Sequence, residues 1–220
     1  MKFRRKRPAG GPASADQGVA GPTALTPSFG DPERVEQVTT GPFDVKDVDL
    51  EDGVERVDLG SLLITPGAGR DVRLQVDQKT NRVQAVLIAS PEGAIELRAF
   101  AAPRNGDLWG ETRPRIAAET TRRGGTAEEQ EGPFGTELRV QTTVKKPDGT
   151  TAVQHSRVVG VNGPRWLLRA TFLGTPVVDE AAGAAWAAVL EQVVVRRGDA
   201  AMAVGDALPI TVPETARRVQ

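Results

Sequence analysis

Residues 83–99 read Val-Gln-Ala-Val-Leu-Ile-Ala-Ser-Pro-Glu-Gly-Ala-Ile-Glu-Leu-Arg-Ala. The first run, Val83 to Ala89, is apolar at both parities, the pattern of a central strand buried on both faces. Pro91-Glu92-Gly93 is a turn signal. Beyond it Ile95, Leu97 and Ala99 alternate with Glu96 and Arg98, a strand with one wet face. Two strands with so short a connection must be antiparallel neighbours, so the sheet is built as a meander.

Upstream, Leu62-Leu63-Ile64-Thr65 and the alternating Val72, Leu74 and Val76 extend the strand pattern, with Pro66-Gly67-Ala68-Gly69-Arg70 as the hairpin loop between them. Downstream, a helix interrupts the sheet. Asp107 suits its N-cap, Trp109, Ile116 and Thr120 share one face, and Gly124-Gly125 stops it. Pro114 requires either a kink or a regular helix that starts near Thr112. Three strands follow the Gly132-Pro133-Phe134-Gly135 corner: Leu138 to Val144, Val153 to Val161, and Arg165 to Phe172. Pro147-Asp148-Gly149-Thr150 joins the first two as a hairpin. A second helix, capped by Asp179, carries the stripe Ala182, Trp186, Val189, Leu190 and Val193 and runs into a last strand, Val193 to Arg197. The order predicts an α+β fold, an antiparallel sheet sandwich with two main helices.

Three segments follow from composition. Residues 1–40 are rich in Gly, Pro, Ala, Ser and Thr without a sustained period, and are expected to be a disordered basic tail. Residues 41–200 form a single α+β domain, and residues 201–220, with Pro209 and Pro213, an extended C-terminal tail. The net charge of −1 conceals an uneven distribution. The head carries Lys2, Arg4, Arg5, Lys6 and Arg7 without an acid, whereas residues 31–60 hold ten acids against three bases. The acidic stretch Asp44 to Asp58 contains Val45, Val48, Leu50, Val54 and Val57, and is read as a covering segment with a short strand.

The side-chain inventory restricts the chemistry. The chain has no Cys, no Tyr and one His, His155. Thiolate chemistry, disulfides and thiolate metal sites are excluded. His155 has no neighbouring ligand residues and is read as an ordinary strand histidine. The acidic groups Asp49/Glu51/Asp52 and Glu128/Glu129/Glu131 lack calcium-loop spacing. No phosphate-loop glycine pattern and no nucleophile elbow is present. No catalytic residue, cofactor site or metal site is therefore expected, and the domain is read as non-enzymatic.

The arginines are what remains. Arg98, Arg139, Arg157, Arg165 and Arg169 all fall on expected strands, at parities compatible with one face of the sheet. They are read as its wet face, paired with Glu96, Glu137 and neighbours, and they are the candidate binding residues because guanidinium suits carboxylates and phosphates. Lys2, Arg4, Arg5, Lys6 and Arg7 form a second candidate. Such a head is a solubilising terminus, a nucleic-acid arm or a tether to anionic lipid. No apolar stretch follows it to make an export signal or a membrane span. A cytoplasmic location is expected, peripheral at the membrane under the tether reading.

Several segments carry a family resemblance: Lys2-Phe3-Arg4-Arg5-Lys6, Arg56-Val57-Asp58-Leu59-Gly60-Ser61-Leu62 and Ile95 to Pro103. Glu131 to Leu138, Gly163 to Arg169 and Val193 to Asp199 complete it. The chain resembles an actinobacterial family catalogued as domain of unknown function 3710. The element order is similar to the Mog1/PsbP-like sandwich, a fold used mostly for binding partners. The resemblance implies no activity, cofactor or catalytic residue. The expectation is an interaction module with an unidentified protein partner. The alternative is a peripheral binder of nucleic acid or anionic membrane through residues 2–7.

Overall fold

A computed structural model describes residues 40–213 apart from Pro66, Asn81 and Pro147. The basic head lies outside the described residues. The fold is α+β, with mostly antiparallel pairing and more strands than the sequence reading supplied.

The large sheet has seven strands: β4 (Asp71–Val76), β5 (Val83–Ser90), β6 (Gly93–Ala101), β10 (Trp166–Gly174), β9 (Thr151–Asn162), β8 (Gly135–Lys145) and β7 (Thr126–Gly132), in that spatial order. Two antiparallel meanders meet where β6 pairs with β10. The run that sets the fold, β5, is thus second from an edge, and the central position belongs to β10, with β6 beside it. Edge strand β7 is absent from the sequence reading, because Thr-Ala-Glu-Glu-Gln-Glu-Gly has almost no apolar period. Its register against β8 explains this: it lies at the sheet margin and most of its side chains are exposed.

A small second sheet joins β1 (Phe43–Asp44), β11 (Val194–Val195), β3 (Leu62–Ile64) and β2 (Val57–Asp58). The β1–β11 pair is parallel. The acidic segment therefore contributes two short strands around a 3₁₀ turn at Val45–Asp47. The loop at 67–70 is not a hairpin, since β3 and β4 belong to different sheets. It carries the chain from one layer to the other, and Arg70 ends 4.7 Å above the Trp186 ring.

Side-chain alternation divides the core in two. Ile95, Leu97 and Ala99 of β6 and Trp166, Leu168, Ala170 and Phe172 of β10 face the small sheet and helix α3 (Glu180–Glu191), where Trp186 and Leu190 meet them. Each such aliphatic side chain, fully buried, contributes about 1.5–3 kcal/mol. Leu208, in the segment after β11, is buried in the same core. The backbone of Leu208 donates to Ala99 at 2.8 Å.

The opposite face is covered by α1 (Leu108–Arg122), which carries the chain from β6 in the centre to β7 at the edge. Asp107 caps it, accepting from the Gly110 amide at 2.7 Å. Trp109 lies on Gly160, where no Cβ obstructs the ring, and its indole N–H donates to the Thr136 carbonyl at 2.7 Å. The helix runs without a break through Pro114 and ends before Gly124, which takes a positive φ of 80°. No helix among the described residues is long and apolar enough to cross a membrane.

Candidate functional site

The β8–β9 hairpin turns at Asp148–Thr150, where Gly149 takes a φ of 83° and Asp148 accepts from the Thr150 amide at 2.8 Å. That turn fixes the register, and the register sets Arg139 directly opposite Arg157. Glu137, two residues earlier on β8, shares their face. The same parity places Gln141 and His155 one step further out and Gln130 of β7 beside Glu137.

A short helix, α2 (Thr175–Val178), and the start of α3 form the other wall. Gly174 permits the sharp exit from β10 with a φ of 79°. Asp179 then caps α3 through the Ala182 amide at 2.7 Å. Between this wall and the sheet lies a cleft of about 440 Å³.

Its floor is charged. Glu137 is 1% exposed and Arg157 5%. Arg157 Nε lies 3.3 Å from one Glu137 oxygen, and Arg139 Nη2 lies 3.2 Å from the other. Arg139 Nη1 also donates to the Val177 carbonyl at 3.0 Å, and the Arg157 guanidinium stacks 4.1 Å from the Phe172 ring. The cluster is only partly satisfied. Both Glu137 oxygens, Arg139 Nε, and Arg157 Nε and Nη2 are buried without a well-aligned hydrogen bond. Native interiors leave few such groups.

Burial pushes the Glu137 carboxyl above its ordinary range, against the pull of Arg157 and Arg139. Burial likewise lowers Arg157, with Glu137 opposing and Arg139 adding to the effect. Two guanidiniums thus face one carboxylate in a sheltered recess, whose rim carries Glu131, Asp179 and Glu180.

The expected arginines do not gather on one face. Arg139 and Arg157 line the cleft. Arg98 and Arg169 are cross-strand partners on the opposite, α1-covered side. There Arg98 pairs with Glu96 at 2.9 Å and Arg169 stacks 5.3 Å from Phe100. Burial, then repulsion from Arg98, lowers Arg169. Arg165 precedes β10 instead of lying in it, and borders a third place, near Asp44 and Arg197. The separation follows from odd and even positions: within a strand, parity is only comparable once the register to the neighbour is known. The expected pairings with Glu96 and Glu137 are present.

His155 is exposed on β9 and borders a shallower depression of about 250 Å³ that continues from the cleft, sharing Gln130, Arg139, Val177 and Val178. Val177, Val178 and Gly183 were not among the sequence candidates, since nothing local marks a short helix as a wall. Among the described residues no group of three or more His, Cys, Asp and Glu side chains is gathered as a metal site.

The model of the family described as Protein of unknown function (DUF3710) matches residues 41–219. The chain belongs to this family. The whole cleft therefore lies inside the DUF3710 region. No curated protein matches the sequence.

Proposed function

We propose that this DUF3710 domain is a non-enzymatic interaction module whose recognition element is the cleft between β8, β9 and the α2–α3 wall. The observation that carries the reading is the Arg139–Glu137–Arg157 floor. Replacing a buried ion cluster by apolar residues is often neutral or stabilising, so such a cluster is weak as a stability device. Here burial disfavours the charged forms of both Glu137 and Arg157, and the cluster floors a recess with several of its guanidinium nitrogens sealed without a partner. Those features suit a site that offsets the surplus positive charge of its floor with a partner's anion. With one unaccompanied His and no Cys, the chain offers little for covalent or general-base work.

In-cell crosslinking with mass spectrometry tests this reading. Crosslinked partner peptides should map to α2 and β8–β9, and the Arg139→Gln variant should lose them while remaining folded. Partner peptides that map elsewhere, or that persist in the variant, overturn it.

A second reading rests on the five cations of residues 2–7, which suit counterion release from nucleic acid or attraction to anionic lipid. Deleting residues 2–7 should then abolish salt-sensitive association with DNA or anionic liposomes. Unchanged association removes this reading.

A further inference from the structure

We infer that the cleft receives the C-terminal carboxylate of a polypeptide segment that also carries a basic side chain. The inference rests on the binding reading above and names the chemistry of the partner.

The floor selects a monoanion. Two guanidiniums against one carboxylate leave a single surplus positive charge, which one carboxylate neutralises. Arg157 is sealed at Nε and Nη2. Its Nη1 points toward α3, 3.8 Å from where a Cβ on Gly183 would stand, so the glycine keeps that approach open. Arg139, on the cleft's sheet side, is held at Nη1 by the Val177 carbonyl and at Nη2 by Glu137 and is sealed at Nε, so it contributes its charge to the floor.

The rim selects against a dianion. Glu131, Asp179 and Glu180 border the same cleft. A phosphate bearing nearly two charges meets their repulsion, whereas a ligand with its own cation is drawn to them. Glu131 accepts from the Thr136 hydroxyl and Asp179 caps α3, while Glu180 makes no ion pair among the described residues. A lysine or arginine on the ligand therefore has a carboxylate to meet at the mouth.

The continuity of the cleft selects a chain over a free amino acid. The recess passes across Val177 and Val178 into the depression beside His155 and Gln141. Val178 is 73% exposed at the junction. A ligand seated only on the floor leaves that apolar side chain uncovered; a segment running outward from a buried carboxylate covers it.

The test is a titration of the full chain with three peptides: acetyl-Val-Lys-Leu with a free carboxylate, the same peptide amidated, and acetyl-Val-Ala-Leu with a free carboxylate. Arginine Nε–H resonances report on the floor. The free acid should shift the Arg139 and Arg157 signals, and amidation should weaken binding at least tenfold. Loss of the lysine should weaken it severalfold at low salt, a difference that closes as salt rises. Arg139→Gln should reduce the free acid to the level of the amide. Ala184→Phe, on the exposed mouth of the cleft, should block binding without altering any charge. Equal binding of acid and amide, or no shift with the acid, overturns the inference. So does tighter binding of inorganic phosphate or of free leucine. If these peptides fail while Arg139→Gln still abolishes partner crosslinks, the ligand class is wrong and the binding reading stands.

Discussion

Arg139 on β8 and Arg157 on β9 are direct cross-strand partners, two like charges facing each other across one ladder. Like charges in that relationship destabilise a sheet. Glu137 offsets the repulsion by lying within 3.3 Å of both guanidiniums, yet it is itself desolvated. The arrangement is costly for the fold and useful for recognition.

Stability and binding should therefore separate. Replacing Glu137 and Arg157 together by Met removes the buried pair and keeps apolar volume. Urea denaturation should show a change between zero and a gain of about 4 kcal/mol, with partner crosslinks lost. A large loss of stability would make the cluster a structural element.

The pH dependence of stability has a definite sign. The Glu137 carboxyl is raised in the folded state, so the native protein holds that proton more tightly than the unfolded chain. Its contribution is full below the ordinary value of 4.5 and is lost as pH rises through the raised value. Glu137→Gln lacks this titration. The stability of the wild type relative to this variant should fall as pH rises from about 4 through the titration of Glu137, measured by urea denaturation at each pH. A relative stability that rises with pH contradicts the assignment.

Besides its strand pairings, the acidic covering segment is tied to the core by a side-chain bond. Trp166, 1% exposed, donates its indole N–H to Asp44 at 2.7 Å. Asp44→Ala leaves that donor unpaired and should cost about 1–3 kcal/mol in thermal or urea unfolding. A change near zero would show that the bond contributes nothing net.

On the other face, Gly160 is the seat of Trp109. A Cβ there overlaps the indole ring. Gly160→Ala should displace the ring, break its bond to the Thr136 carbonyl and cost at least about 1–3 kcal/mol by overpacking. Near-UV circular dichroism should register the change in the tryptophan environment. Binding at the cleft, on the opposite face of the sheet, should persist in the fraction that folds.

The sequence made some of these features legible and concealed others for physical reasons. Strands with one buried face, such as β6 and β10, announce themselves by alternation, and α3 by its cap and stripe. Edge strand β7 is polar because it lies at the margin, so it has no such signature. The strand arginines were visible as candidates, but their division between faces depends on cross-strand register, which no single strand encodes. The pairing of Arg139 with Glu137 follows from two-residue spacing and was legible. The wall formed by Val177, Val178 and Gly183 was not, because it is created by the sharp turn at Gly174 and by packing across about forty residues of chain.

The most direct test places a photoreactive amino acid at Val178, on the exposed lip of the cleft, in the native cell. A discrete adduct should form that disappears with Arg139→Gln and is absent when the probe stands at Arg73, on the opposite face of the sheet. An adduct that is indifferent to Arg139, or that forms equally at Arg73, would contradict a recognition site in the Arg139–Arg157 cleft.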